Sequence, residues 1–185
     1  ARNQLQCEAL RMNMTSLPGA CSLGTEGAHG KDRITKNTYN AAGELLTVEK
    51  AYGTPQAQVY ATYTYTPNGK RKTIVDANGN KAELRYDGFD RQSHWYFPSK
   101  TVKGAINTAD YEAYTYDENG NRETLRKRDG LTLSYTYDNL NRVIRKTVPA
   151  RSGLASTHTR DVFYGYDLKD LQTYARFDYT TGEGV

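Results

Sequence analysis

A tyrosine that returns at a near-regular interval, each time just ahead of a turn-forming stretch, constrains this 185-residue chain more than any other feature. Tyrosines in a Tyr-x-x-x-Gly or Tyr-Asp-x-x-x-Arg setting stand at Tyr39, Tyr65, Tyr86, Tyr116 and Tyr137, and Tyr166-Asp167 continues the series with Leu171 in the arginine's place; successive spacings are 26, 21, 30, 21 and 29. Short and long spacings alternate, so two units make one block, and equivalent tyrosines lie 47, 51 and 50 residues apart. A period of this size marks a repeat architecture in which each unit buries its apolar face against its neighbours.

The two middle blocks align without a gap at an offset of 51. Tyr63 and Tyr65 match Tyr114 and Tyr116; Gly69 and Arg71 match Gly120 and Arg122; Thr73 matches Thr124. Gly79 matches Gly130, Tyr86-Asp87 matches Tyr137-Asp138, Arg91 matches Arg142 and Pro98 matches Pro149. The blocks run near 39–62, 63–113 and 114–164, and Tyr166-Asp167 opens a partial one over 165–185. Its next Tyr-Asp would fall near position 187, so the chain is expected to stop inside a repeat. A start at Ala1 without a methionine likewise suggests an excised piece.

Within a block, Leu131, Leu133, Tyr135 and Tyr137 alternate with Thr132, Ser134 and Thr136, the period of two that sends successive side chains to opposite faces of a sheet. Asn78-Gly79 and Asp129-Gly130 separate such runs and predict two-residue hairpin turns, because both residue pairs tolerate positive φ. Thr66-Pro-Asn-Gly69 and Asp117-Glu-Asn-Gly120 predict turns whose first side chain bonds the backbone two residues on, and Gly43 stands at the same place after Tyr39. The tyrosine packs and its successor turns the chain. The expected fold is all-β, antiparallel hairpin repeats over 34–185 behind an irregular junction over 1–33. In that junction residues 7–13 suit a short helix, whereas Pro18-Gly19, Gly24, Gly27 and Gly30 suit loops. Longer surface loops are expected at 53–57, 98–110 and 150–161.

Composition fits a thin sheet. Only 37% of residues are apolar and the mean hydropathy is −0.83, yet there are 16 tyrosines against 4 Phe and 1 Trp. A buried tyrosine brings a large ring and a hydroxyl that needs a partner, which suits layers whose ring tips reach polar groups. The richness in Tyr, Thr and Val excludes the composition of a disordered chain. A net charge of +4 comes from dispersed Lys and Arg, densest at Arg126-Lys127-Arg128, without the basic face of a nucleic-acid binder. No apolar run reaches the ~20 residues of a membrane helix, and residues 1–10 lack the apolar stretch of a targeting signal.

Tyr116-Asp117-Glu-Asn-Gly120-Asn121-Arg122, Tyr137-Asp138-Asn-Leu-Asn141-Arg142 and Tyr86-Asp87-Gly-Phe-Asp90-Arg91 resemble the YD repeat of the RHS (rearrangement hot spot) family. The resemblance covers Ile34 to about Tyr166, and the run from Pro18 to Gly24 and on through Asp32-Arg33-Ile34-Thr35 is similar to the stretch that precedes such repeats in bacterial members. It implies a β-ribbon that spirals into a hollow shell, enclosing a C-terminal toxic domain in bacterial toxins and forming an adhesion barrel in related animal proteins. Three partial blocks would supply only a piece of curved wall. The implied partners are the remaining repeats of a parent shell and its toxin cargo, with a cell-surface glycan or protein as an alternative, and no nucleic acid and no membrane insertion. The implied location of the parent is secreted or at the cell surface. The family's Asp-Pro self-cleavage segment has no counterpart here, since the chain contains no Asp-Pro.

The resemblance implies a non-enzymatic role and no cofactor, and the residues agree. Asp76-Ala-Asn78-Gly-Asn80 and Asp117-Glu-Asn119-Gly-Asn121 present oxygens at alternate positions, but the twelfth position of a calcium loop would be Asp87 or Arg128 instead of a bidentate Glu, so turn chemistry is expected. His29, His94 and His158 are scattered and stand in no nucleophile or metal motif. His94-Trp95-Tyr96-Phe97 is the most aromatic stretch; Trp95, Tyr96 and Phe97 are expected to pack into the sheet, or alternatively to stack on a sugar or a protein partner. Cys7 and Cys21 either form a disulfide or remain two thiols, and without a nearby His pair they make no metal site. A hydrolase centred on Cys21 and His29 is a weaker alternative. Asn13-Met14-Thr15 is a glycosylation sequon by pattern.

Overall fold

The computed structural model describes residues 4–177. Among the described residues thirteen strands follow one another in the sheet in their sequence order, β1 Cys7–Leu10, β2 Arg33–Tyr39, β3 Leu45–Lys50, β4 Gln58–Tyr65, β5 Arg71–Asp76, β6 Lys81–Tyr86, β7 Gln92–Pro98, β8 Ile106–Tyr116, β9 Arg122–Arg126, β10 Thr132–Tyr137, β11 Val143–Thr147, β12 Val162–Tyr166 and β13 Gln172–Phe177. The architecture is all-β and antiparallel, with one 3-10 turn at Ser156–His158 among the described residues. Two compact units divide it, one of residues up to Asp90 with Tyr96–Thr108, the other of Arg91–Trp95 with residues from Ala109 onward.

The first unit carries the N-terminal segment. Cys7–Leu10 is a strand and not the short helix expected there: Cys7 pairs with Lys36 and Ala9 with Ile34, so backbone bonds to β2 override the local helical preference. Cys7 and Cys21 are joined by a disulfide. Full burial is concentrated here, with Ile34 1% exposed and Cys7, Asp32 and Ala61 also buried. The loop at 99–105 folds back over the β5–β6 turn, where the Gly104 N–H donates to the Gly79 carbonyl at 3.0 Å.

The second unit repeats the pairing one block later. Leu125 lies between Tyr114 and Leu133, and Thr124 between Thr115 and Ser134, as Ile74 lies between Tyr63 and Ala82 and Thr73 between Thr64 and Glu83 in the first unit. Threonine pairs bond across neighbouring strands at Thr38–Thr47, Thr64–Thr73 and Thr115–Thr124, with Oγ–Oγ distances of 2.6, 2.6 and 2.7 Å. The loop after β11 is anchored by Asp161, which accepts from the Val148 N–H at 2.9 Å and from the Arg145 guanidinium.

The hairpin turns share one geometry. After Tyr39, Tyr65, Tyr116, Tyr137 and Tyr166, and also at Asp76 and Lys127, the first turn residue's N–H bonds the carbonyl four residues on, while the fourth residue's N–H bonds back to the first carbonyl. The fourth residue is left-handed: Gly43, Gly69, Gly79, Gly120 and Gly130 have φ between 75° and 91°, and Asp90, Asn141 and Asp170 have φ of 61°, 61° and 63°. This is a type I turn followed by a bulge, a three-residue loop. The two-residue turn expected at Asn78-Gly79 and Asp129-Gly130 is therefore corrected, since that turn needs positive φ at both residues and neither Asn78 nor Asp129 has it. The extra residue appears as a register shift just before Tyr39, Tyr65, Tyr116, Tyr137 and Tyr166.

Candidate functional site

Each repeat tyrosine is half-buried and uses its hydroxyl to staple the sheet. In the first unit, Tyr39 donates to the Leu5 carbonyl at 3.0 Å, Tyr65 to that of Leu45 at 2.8 Å and Tyr86 to that of Arg71 at 2.7 Å. In the second, Tyr116 donates to Gln92 at 2.8 Å, Tyr137 to Arg122 at 2.9 Å and Tyr166 to Val143 at 2.9 Å. The acceptors from Leu45 onward obey one rule: each is the sixth residue after the preceding repeat tyrosine, the position that reopens the strand beyond that tyrosine's turn. The hydroxyl thus satisfies the polar demand of a buried ring and ties one hairpin to the one before it. Burial pushes the Tyr86 and Tyr137 phenols upward, so they remain neutral donors.

The residue after the tyrosine caps its turn. Asp138 accepts from the Leu140 and Arg142 N–H groups at 2.9 and 3.0 Å, and Asp167 from those of Lys169 and Leu171 at 2.8 and 2.9 Å. Asp87 accepts from Phe89 N–H at 2.9 Å, and Asp117 from Asn121 N–H at 2.7 Å. The side-chain bond from Asn121, with lesser backbone donors, lowers the Asp117 pKa; that of Asp76 is lowered chiefly by Asn80, and that of Asp138 by the Arg142 N–H and guanidinium. Both oxygen-rich segments are therefore occupied as turn caps. Among the described residues no group of three or more His, Cys, Asp or Glu side chains is arranged to hold a metal.

The arginines link successive turns, a role the spacing alone does not reveal. Arg91 lies over the Tyr116 ring at 4.7 Å and donates to the Asp117 carbonyl at 3.2 Å. Arg142 repeats this one block later, over Tyr166 at 4.8 Å, to the Asp167 carbonyl at 3.2 Å and to the Asp170 carboxylate at 2.7 Å. Arg122 lies near the rings of Tyr114 and Tyr135, at 5.8 and 5.4 Å. A groove runs between neighbouring turns. One copy, about 410 Å³, is lined by Asp117, Asn119, Glu123, Tyr135, Asp138 and Asn141 among others; its counterpart 51 residues earlier, about 480 Å³, carries Lys72 and Arg85 where Glu123 and Thr136 stand.

The remaining candidates fall elsewhere. Trp95, Tyr96 and Phe97 lie in β7, all half-buried, with the Arg85 guanidinium 4.5 Å from the Tyr96 ring centre. His94 tilts against Tyr111 with ring centres 5.8 Å apart, His158 lines a cavity of about 180 Å³ with Leu131 and Leu133, and His29 is exposed in the turn closed by Gly27 and Gly30. Cys21 is oxidised, so it offers no thiolate for the hydrolase alternative. A cluster missed in the sequence holds the disulfide loop. Arg11 donates to the carbonyls of Pro18, Gly19 and Ser22, each at 2.8 Å, and to Asp32 at 2.6 Å. Asp32 also accepts the Met12 and Gly24 N–H groups at 2.8 Å, and these bonds, with Arg11, hold its carboxyl at about 2. Arg11 and Asp32 are 21 residues apart, with no periodic signal between them.

The teneurin YD-shell family model matches residues 24–155. The chain belongs to the teneurin YD-shell family. Among solved structures, the crystal structure of TcdB2-TccC3 matches with a TM-score of 0.64 at 18% identity, covering 90% of this YD-shell chain and 10% of that one. The crystal structure of TcdB2-TccC3-TEV matches with a TM-score of 0.63 at 18% identity over 88% of this chain and 9% of that one. The Photorhabdus luminescens Tc holotoxin pore matches with a TM-score of 0.61 at 18% identity, covering 88% and 9%. At this identity the likeness establishes the fold, and the chain spans about a tenth of the structures it matches. Comparison with curated proteins finds no match. The residues that carry the RHS resemblance are those that build the hydroxyl staples and capped turns. No helix among the described residues is long and apolar enough to cross a membrane.

Proposed function

We propose that this chain is a wall segment of a YD shell, working through its architecture and not as an enzyme, in a longer secreted or cell-surface protein whose shell encloses and helps deliver a C-terminal toxin domain. The observation that carries the reading is the hydroxyl ladder. Tyr65, Tyr86, Tyr116 and Tyr137 direct their polar tips to backbone carbonyls of the neighbouring hairpin, a use that extends a wall and takes those hydroxyls away from a ligand. A glycan platform would instead present several rings exposed in one groove. The TcdB2-TccC3 likeness supports the shell as the setting.

The test is limited proteolysis of the longer protein, intact and with Tyr65, Tyr86, Tyr116 and Tyr137 all changed to Phe, followed by electron microscopy of both. A hollow particle is expected, with the C-terminal domain cleaved slowly in the intact protein and faster in the variant. Cleavage of that domain in the intact protein as fast as in isolation, with no hollow particle, overturns the reading.

A further inference from the structure

Three Asn-Gly dipeptides, Asn68-Gly69, Asn78-Gly79 and Asn119-Gly120, occupy the third and fourth positions of hairpin turns. In an unconstrained chain this dipeptide is prone to spontaneous deamidation, because glycine leaves its own N–H open to approach the asparagine side chain. The glycine nitrogen gives its proton to solvent base and attacks Cγ. The bond from Cγ to the side-chain nitrogen breaks, ammonia leaves, and a cyclic imide remains. Water then opens either imide carbonyl to give aspartate or isoaspartate, so the step requires no reagent beyond water.

We propose that Asn119 is the asparagine of these three at which the folded chain modifies itself first, while Asn68 and Asn78 are held back by the segments that cover their turns. In all three turns the attacking N–H is committed to the first carbonyl, at 3.0 Å for Gly69, 2.9 Å for Gly79 and 3.1 Å for Gly120. Reaction therefore waits for the turn to open, and its rate follows the free energy of that local opening. The Asn78 turn opens only if the loop at 99–105 also leaves, because the Gly104 N–H bonds the Gly79 carbonyl at 3.0 Å and the Lys103 side chain lies against Gly79. Asn68 is itself tied across to the next turn, its Nδ2 donating to Asp90 at 3.0 Å, with the Glu44 carboxylate beside Gly69. At Gly120 the space a Cβ would occupy has no neighbour within 4 Å. The bonds that reach this turn from outside, Asn121 to Asn141 at 2.7 Å and the Arg91 guanidinium to the Asp117 carbonyl at 3.2 Å, hold its fifth and first residues and not the reacting pair. The product places a new carboxylate beside Asp117, Glu123 and Asp138 in the groove, and isoaspartate adds a methylene to the turn backbone.

The experiment incubates the folded chain in mildly alkaline buffer and follows the three sites by peptide mapping and mass spectrometry, with a denatured sample in parallel. The expected result is that product at Asn119 accumulates several-fold faster than at Asn68 or Asn78 in the folded chain, and that the three sites converge in denaturant. Asp90→Gly, which keeps a residue tolerant of the left-handed turn position, should raise the Asn68 rate toward that of Asn119 and leave Asn78 unchanged. Equal rates at the three sites in the folded chain, or Asn78 reacting as fast as Asn119, would overturn the assignment.

Discussion

At the scale of single residues, one exception shows what a repeat position is for. The Thr–Thr pair before each long-spaced turn is replaced in the last hairpin by Gly165 opposite Tyr174, whose ring fills the space of the missing side chain, with Arg176 4.3 Å from its centre. Gly165→Ala should therefore force the Tyr174 ring aside and cost about 1–3 kcal/mol. Changing both residues to Thr rebuilds the pair found at Thr115–Thr124 and should recover most of that loss; thermal melts of the three variants decide it. Asp32 supplies a pH test. Its carboxyl is lowered from 3.8 to about 2 by the Met12 and Gly24 N–H donors and Arg11, so the folded state favours the charged form. Its contribution is complete above the ordinary value of 3.8, declines as pH falls toward the folded value of about 2, and is lost below it. Hydrogen exchange of residues 11–24 should accelerate across that window in the native chain and show no such step in Asp32→Asn.

At the scale of elements, the strands and their spacing were legible because tyrosine and turn glycine repeat in register; the turn type was not. Asn-Gly and Asp-Gly serve both a two-residue hairpin and the third and fourth positions of a type I turn with a bulge, and only the φ of Asn78 and Asp129 separates them. The tyrosine acceptors were hidden for another reason: they lie 15 to 24 residues back in the second unit, and any backbone carbonyl could serve. Residues 7–13 suit a short helix by local pattern, but Cys7–Leu10 takes its strand identity from β2. That segment is held twice, by the Cys7–Cys21 bridge across 14 residues and by Arg11. Loop-closure entropy assigns the bridge about 3 kcal/mol. Reduction should therefore weaken the segment while leaving the pairing of β1 with β2 intact, because Arg11 still gathers the carbonyls of Pro18, Gly19 and Ser22. Arg11→Ala with the bridge present should loosen 12–24 more than reduction does, as read by hydrogen exchange.

At the scale of the whole chain, strand order equal to sequence order means that each hairpin gains its stability from the hairpins beside it. Interior burial is sparse among the described residues. Stability in such an array is close to a sum of unit and nearest-neighbour terms, and a defect stays local. Tyr137→Phe removes the bond to the Arg122 carbonyl and leaves that acceptor on a half-buried strand, a loss of about 1 kcal/mol. In a fold with one cooperative core, that loss would lower protection everywhere. Here it should raise amide exchange in β9, β10 and β11 by roughly fivefold, the factor that 1 kcal/mol sets, and leave β2, β3 and β4 unchanged. A uniform loss of protection would show instead that the strands share one cooperative unit, and the wall would then fail as a whole when a single staple is removed.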